Sequence, residues 1–322
     1  MKDIIRLDHV TRTFQVRRQT IKAVDDFSLT IHEGEIMCLV GESGCGKTTT
    51  GKMITGVLPV SAGNILYHGQ DIAKLRGQGL RQYRLGVQMI HQDVYASLNP
   101  AHNISEIIAS PLRRHGLTKG ETGTQARVRE LLQMVDMTPP DDFLDKYPHQ
   151  LSGGQRQRVS VARALTVVPS FIVADEAVSM VDVSIRISLL NMMSKLKDAM
   201  GLSVLFITHD LALAKYFAWE GKIGVMYLGR LVELAAARQL VETPHHPYTQ
   251  VLLSAIPEAD PEVTRKKRTI QLRSMDIPSL LRLPSGCSFH PRCPRFLGEK
   301  CEKIVPELKT TLDGAAVACH AV

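Results

Sequence analysis

Gly41-Glu-Ser-Gly-Cys-Gly-Lys-Thr48 decides the fold of this chain. It fits G-x-x-x-x-G-K-[ST], a loop whose backbone N–H groups cradle a phosphate. The flanks suit the motif. Ile36-Met-Cys-Leu-Val40 is a short apolar run that predicts a buried strand, and Thr48 through Ile54 can open a helix. Strand, glycine loop and helix N-terminus together make an anion site, because inward N–H groups and the helix dipole both favour negative charge. Gly44 and Gly46 are read as removing side chains where phosphate must come close. Lys47 is expected to neutralise the β- and γ-phosphates, and the Thr48 hydroxyl to sit on Mg²⁺.

At 322 residues with 44% hydrophobic content, the chain can bury one large core or two unequal ones. A net charge of +7 suits nucleic acid, an anionic lipid surface or nucleotide equally well, so charge alone does not choose between them. The start, Met1-Lys-Asp-Ile-Ile-Arg-Leu-Asp8, has no apolar signal region, and no run approaches the ~18 apolar residues of a membrane span. The chain is therefore expected to be cytosolic, or peripheral on the cytosolic face of a membrane. Two of the six cysteines, Cys38 and Cys45, lie in or beside the strand before the glycine loop, which does not suggest a secreted disulfide scaffold.

Outward from the loop, strand-like pieces occur at Ile4–Leu7 and Phe27–Ile31, with Phe14 and a basic turn, Arg17-Arg18, between them. Phe14 reads either as an adenine-stacking ring or as an ordinary core residue. Gly63–Tyr67 predicts a hairpin strand, and Leu85–Ile90 a buried strand ending at His91-Gln92-Asp93, which puts Gln92 in reach of Mg²⁺ or an attacking water. Residues 103–147 are helical in period up to the break at Thr138-Pro-Pro-Asp141. In Leu151-Ser-Gly-Gly-Gln155, Ser152 can cap a helix whose first N–H groups, at Gly153 and Gly154, are left bare. A second anion site without a second glycine loop suggests a nucleotide shared between two molecules. Phe171-Ile-Val-Ala-Asp175 predicts a fully buried strand that delivers Asp175 to its C-terminal end, where Mg²⁺ binds; Glu176 follows as the general base for water. Ser203–Thr208 is another buried strand, with His209 at its end.

In this order the motifs resemble the nucleotide-binding subunit of an ABC transporter over residues 1 to about 256. The resemblance implies an α/β P-loop NTPase core with an antiparallel β subdomain and a helical subdomain at about 95–165. It identifies Gly41–Thr48 as the Walker A loop, with Ser43, Gly44, Cys45, Gly46, Lys47, Thr48 and Thr49 on the nucleotide. It identifies Gln92 as the Q-loop residue, and Leu151–Gln155, with Ser152, Gly153, Gly154 and Gln155, as the LSGGQ signature. Phe171–Asp175 falls on the Walker B strand, Glu176 on the catalytic glutamate, Ser179–Asp182 on the D-loop and His209 on the switch histidine. In the implied mechanism two such domains pair head to tail, each ATP lying between the P-loop of one chain and the signature of the other. Thr48, Asp175 and Gln92 hold Mg²⁺, and Glu176 polarises water. His209 contacts the γ-phosphate. Two positions depart from the family pattern: Ala177 stands where Pro is usual, and Met180-Val181 where Ala-Leu is usual. Neither change removes a charged or nucleophilic group, so catalytic competence is expected.

His246-Pro-Tyr-Thr-Gln250, Pro284-Ser-Gly-Cys287 and Pro291-Arg-Cys293 resemble the C-terminal extension of oligopeptide and dipeptide permease ATPases, here residues 257–322 and expected to be small, irregular and metal-binding, and other positions look more like the "F" partner than the "D" partner. The implied partners are a "D"-type second ATPase subunit, two transmembrane permease subunits and an extracytoplasmic binding protein, on the cytoplasmic side of the cell membrane. No nucleic-acid partner is expected. Oligosaccharide and nickel-chelate importers share this ATPase type and stay open as cargo alternatives. Cys287, Cys293, Cys301 and Cys319, spaced C-x5-C-x7-C-x17-C, suggest metal. The resemblance favours a [4Fe–4S] cluster, Zn²⁺ being the alternative and four plain thiols the third reading. Arg265-Lys-Lys-Arg268 precedes them as a basic run read as a solvated face, with contact to anionic lipid as the lesser reading. A soluble ABC ATPase acting on nucleic acid or ribosomes is the rival class. Such a protein usually carries a long coiled-coil insertion between Q-loop and signature, or a second cassette, and the interval from Gln92 to Leu151 is short with a single P-loop.

Overall fold

The computed structural model describes residues 2–16, 19–256 and 270–322. The two basic runs noted above, Arg17-Arg18 and Arg265–Arg268, lie outside them. The chain divides into two compact units. One holds Ile31–Glu35 and Lys74–Phe206 together with the first few residues; the other holds Ile5–Thr30, Ile36–Ala73 and Ile207–Val322.

The second unit contains the antiparallel subdomain. Strands β1 (Asp3–Val16) and β2 (Gln19–His32) run 14 residues each, and with β4 (Ala62–Tyr67) and β5 (Gln70–Asp71) they form a sheet in the order β2-β1-β4-β5. Their inward residues, among them Ile5, Leu7, Phe27 and Ile31, are fully buried. The same unit carries β3 (Ile36–Val40), which pairs parallel with β9 (Lys222–Tyr227), and β9 turns antiparallel into β10 (Arg230–Ala236). β3 and β9 are apolar and almost wholly buried, as a strand covered on both faces must be.

In the first unit, β6 (Val87–Ile90) pairs parallel with β7 (Phe171–Asp175), followed in sheet order by β8 (Ser203–Thr208). The strand expected over Leu85–Ile90 is shorter: Leu85 and Gly86 end a helix, Gly77–Gly86, and β6 begins at Val87. The helical region is built from Ile104–His115, Gly120–Met134 and Gly153–Leu165, which pack on one another. Asn103 and Glu106 close a capping box at the first of these helices, and Gly116 in the left-handed region ends it.

The C-terminal extension is less irregular than its sequence suggests. β12 (Ala316–Val317) adds antiparallel to β10, with Glu233 opposite Val317, and β11 (Lys309–Thr310) pairs with β12. Phe289, Ala315 and Val317 are buried. Among the described residues, no helix is long and apolar enough to cross a membrane.

Candidate functional site

The Walker A stretch forms the expected strand, loop and helix. β3 ends at Val40, and the helix Lys47–Ile54 starts directly behind Gly46. Gly46 has φ +108°, and a Cβ there would stand 2.2 Å from the carbonyl oxygen of Ala23. Its role is thus to let the loop pass its own protein backbone, not only to admit phosphate. Gly44, at φ +79° with open space around it, is required by conformation alone. Ser43 and Gly44 are exposed, and Thr48 and Thr49 are half-buried on the first helical turn. The Lys47 ammonium is buried, donating to the carbonyl oxygens of Gly41 at 2.7 Å and Glu42 at 3.0 Å. The cation is thus held by the carbonyls of the loop itself. Cys45 is buried 3.8 Å from Lys47 Nζ, and burial pushes its thiol pKa up, which keeps it neutral and unreactive.

Phe14 is half-buried with the Arg12 guanidinium 4.7 Å over its ring, so it is not a core residue. His209 is exposed at the end of β8, and Asp210 caps the next helix by accepting from the N–H groups of Ala212 and Leu213.

In the first unit, Asp175 ends a strand with every residue buried and is itself 2% exposed. Ile90 pairs with Ala174 at the end of the parallel ladder, and Gln92 and Glu176 each lie two residues beyond that pair. The Gln92 amide Nε2 donates to Glu176 Oε2 at 2.7 Å. The sequence leads one to expect metal or water at Gln92; its partner here is Glu176, which follows from the parallel pairing of β6 with β7. Glu176 has φ +46°, a left-handed backbone that a non-glycine residue adopts at some cost. Its carbonyl accepts from Ser179 N–H at 3.0 Å and Ser179 Oγ at 2.9 Å, which closes the turn into the D-loop. Arg186 then ties that loop down, donating to the carbonyls of Val181 at 2.8 Å and Ser179 at 3.3 Å.

Ser152 caps the helix Gly153–Leu165 in a capping box, accepting from Gln155 N–H while Gln155 Oε1 accepts from Ser152 N–H. The N–H groups of Gly153 and Gly154 belong to the first turn and have no intrahelical acceptor. The two glycines differ. A Cβ on Gly153 would meet Met180 O and Val181 Cγ1 at 3.6 Å, an ordinary contact, whereas one on Gly154 would meet Ile185 Cγ2 at 2.7 Å. Gly154→Ala is therefore expected to cost about 1–3 kcal/mol by overpacking, and Gly153→Ala much less. Thermal melts of the two variants check this; equal melting temperatures would contradict it.

The four tail cysteines are gathered. Cys287, Cys293 and Cys301 are buried, Cys319 is partly so, and Cys287 N–H donates to Cys301 O at 2.9 Å. Burial pushes the Cys287 thiol up to about 11, and the thiols of Cys293, Cys301 and Cys319 add to the rise. Cys293 and Cys319 are raised by burial as well, with Cys319 and Cys301 adding to the rise at Cys293 and Cys301 to that at Cys319. Burial and neighbouring thiols together disfavour ionisation of Cys287, Cys293 and Cys319. No group of three or more His, Cys, Asp or Glu side chains among the described residues is arranged to hold a metal ion as it stands.

A family model described as "ABC transporter" matches residues 24–179, and one described as "Oligopeptide/dipeptide transporter, C-terminal region" matches residues 232–301. The oligopeptide transport ATP-binding protein AppF of Bacillus subtilis (strain 168) is 41% identical over 308 residues, 95% of this chain and 92% of its own length. Among solved structures, the dimeric post-hydrolysis state of the ATP-binding cassette MJ0796 bound to ADP and Pi aligns at TM-score 0.65 with 27% identity, covering 73% of this chain and 99% of that one. A second dimeric structure of the same protein, described as a bacterial ABC transporter cassette, aligns at TM-score 0.65 as well.

Proposed function

The chain belongs to the ATP-binding subunits of oligopeptide ABC transporters and is an ATPase of that family, and we propose that it powers peptide import from the cytoplasmic side of the cell membrane as one of a pair of such subunits docked on two permease subunits. The observation that carries the paired arrangement is the second bare helix start, at Gly153 and Gly154, in a chain with a single P-loop. Each ATP would lie between the P-loop of one subunit and the signature helix of the other. The second subunit would be the "D"-type relative, and an extracytoplasmic binding protein would deliver the peptide.

Within this reading Lys47 leaves the carbonyls of Gly41 and Glu42 for the β- and γ-phosphates. Glu176 orients water and takes its proton, and Gln92, already on Glu176 Oε2, sets the direction of that carboxylate. His209 and the phosphate-facing N–H groups hold the γ-phosphate. The oxygen donors of Thr48, Asp175 and Gln92 suit a hard cation. Mg²⁺ bound there would neutralise phosphate charge. Phe14 would stack the adenine. ATP-dependent accumulation of labelled peptide in vesicles that hold the purified complex tests the reading. Co-purification with no polytopic membrane protein would overturn it.

In the same reading the tail, residues 257–322, is a small domain stapled by a [4Fe–4S] cluster on Cys287, Cys293, Cys301 and Cys319; Zn²⁺ on the same thiols is the second option. The electrostatic effect of the other three tail thiols on Cys287 is what supports it; binding would have to draw the four into a ligand set that they do not form as they stand. A metal that binds only the folded tail adds its binding energy to tail stability. Anaerobically purified protein is expected to be brown, with about four iron and about four sulfide per chain. Cys293→Ser is expected to lower tail stability and complex assembly more than turnover at saturating ATP. Colourless protein with one zinc would keep a metal site and reject the cluster, and metal-free protein with a folded tail would reject both.

A further inference from the structure

The tail lies far in sequence from the P-loop, which suggests a purely structural part. Side-chain contacts within the second unit say otherwise. Arg292, beside Cys293, is 5% exposed, and its Nη1 donates to both carboxylate oxygens of Glu42, at 2.9 Å and 3.0 Å. Glu42 is the second residue of the Walker A loop. Its backbone N–H donates to Tyr248 Oη at 3.0 Å, and its carbonyl accepts from Lys47 at 3.0 Å. One loop residue is thus held at three points: by the tail, by the His246–Gln250 motif and by the phosphate-binding lysine.

The supports are closely packed. Tyr227, Tyr248 and Phe289 are each almost fully buried and form a closed triangle of rings with centroids 4.6, 5.2 and 5.3 Å apart. The Arg292 guanidinium sits 5.9 Å from the rings of Tyr227 and Phe289, and its Nη1 lies 3.4 Å from Tyr227 Oη. Its Nε finds no acceptor. A buried guanidinium with one donor unpaired is a poor stabiliser for the tail by itself. Its strongest partner is a charged group on the nucleotide loop, which is where a positioning contact would be placed.

We infer that Arg292 is a positioning residue for the P-loop: its ion pair with Glu42 fixes the loop carbonyl that Lys47 must leave and the N–H array that phosphate must meet, so that a folded tail is a condition for tight ATP binding. The inference rests on the reading of Gly41–Thr48 as the ATP loop. It adds that the C-terminal extension sets nucleotide affinity directly, through one side chain. A loop fixed only by its own turns would reorganise on binding, and displacements of about 1 Å at such sites cost up to ~10²-fold.

The experiment measures ATP affinity of the full-length chain, and KM and kcat of the assembled complex, for Arg292→Met, Glu42→Gln and the double variant. Each single variant is expected to weaken ATP binding by roughly tenfold to a hundredfold, with kcat at saturating ATP changed much less. The double variant is expected to bind ATP no worse than either single one, since both changes remove one interaction. Arg292→Lys, which keeps a cation, is expected to recover part of the affinity. Glu42→Gln alters a loop side chain that is partly exposed and leaves the tail's own contacts in place, so it reads the ion pair even if Arg292→Met impairs folding. Native affinity in both singles, or additive losses in the double, would overturn the clamp. Lys47→Ala serves as the reference. If it too binds ATP normally, the P-loop reading itself fails, whereas lost binding in Lys47→Ala beside native binding in Arg292→Met rejects only the clamp.

Discussion

Glu176→Gln is expected to bind ATP with near-native affinity, to hydrolyse it at least ~10²-fold more slowly, and to accumulate the closed ATP-bound dimer. The geometry makes this substitution informative. Gln has the size of Glu, and its amide oxygen can accept the Gln92 hydrogen bond that Glu176 Oε2 now accepts at 2.7 Å. The left-handed backbone at residue 176, φ +46°, is held by the two Ser179 hydrogen bonds to its carbonyl, which the side chain does not make. What the variant loses is the negative charge and basicity needed to take a proton from water. A folding defect would lower ATP binding and turnover together; loss of the base lowers turnover alone. Wild-type turnover of the variant in the assembled complex would remove Glu176 from the role of base. Gln92→Ala supplies the comparison. It keeps the base and frees its orientation, so its loss of rate is expected to be smaller than that of Glu176→Gln.

Local signals in the sequence carried most of the nucleotide machinery. The apolar runs before Gly41, before Glu176 and before His209 are buried strands of five or six residues. Each places its polar residue where the strand stops, because a chain buried on both faces can present chemistry only at its end. The boundary at Leu85-Gly86 failed for a physical reason. An apolar pair on a helix end and one on a strand start look alike in sequence, and the Tyr83 ring, buried in the helix Gly77–Gly86, decides for helix. The tail was underestimated because its order is borrowed. β12 has two residues and little propensity of its own, and it exists because β10 offers an edge to pair with. The Arg292–Glu42 contact had no local signal at all: two oppositely charged side chains 250 positions apart predict nothing until β9, the His246–Gln250 motif and Phe289 fix both ends.

Gly153→Asp is expected to leave ATP binding by the isolated chain intact and to cut hydrolysis in the assembled complex by ~10²-fold or more, the scale of losing preorganised N–H stabilisation of phosphate charge. The isolated chain tolerates the change because a Cβ at residue 153 meets its own D-loop only at 3.6 Å. An aspartate there also sits at N1 of the helix Gly153–Leu165, where a negative charge suits the dipole of the free subunit. The harm comes only when another negative charge must dock on the same N–H groups. A γ-phosphate brought by the partner subunit would meet a carboxylate in place of a bare helix start. Repulsion then opposes closure of the pair, not nucleotide capture by the P-loop. The two effects separate in a mixed dimer that carries Gly153→Asp in this subunit and a native "D"-type partner. The ATP held on the partner's P-loop is expected to lose hydrolysis, while the ATP held on this chain's P-loop, facing the partner's signature, keeps it. Site-resolved nucleotide trapping reads the two separately. Loss of ATP binding in the isolated Gly153→Asp chain, or loss of hydrolysis at this chain's own P-loop alone, would place the signature on the same nucleotide as Lys47 and overturn the shared site.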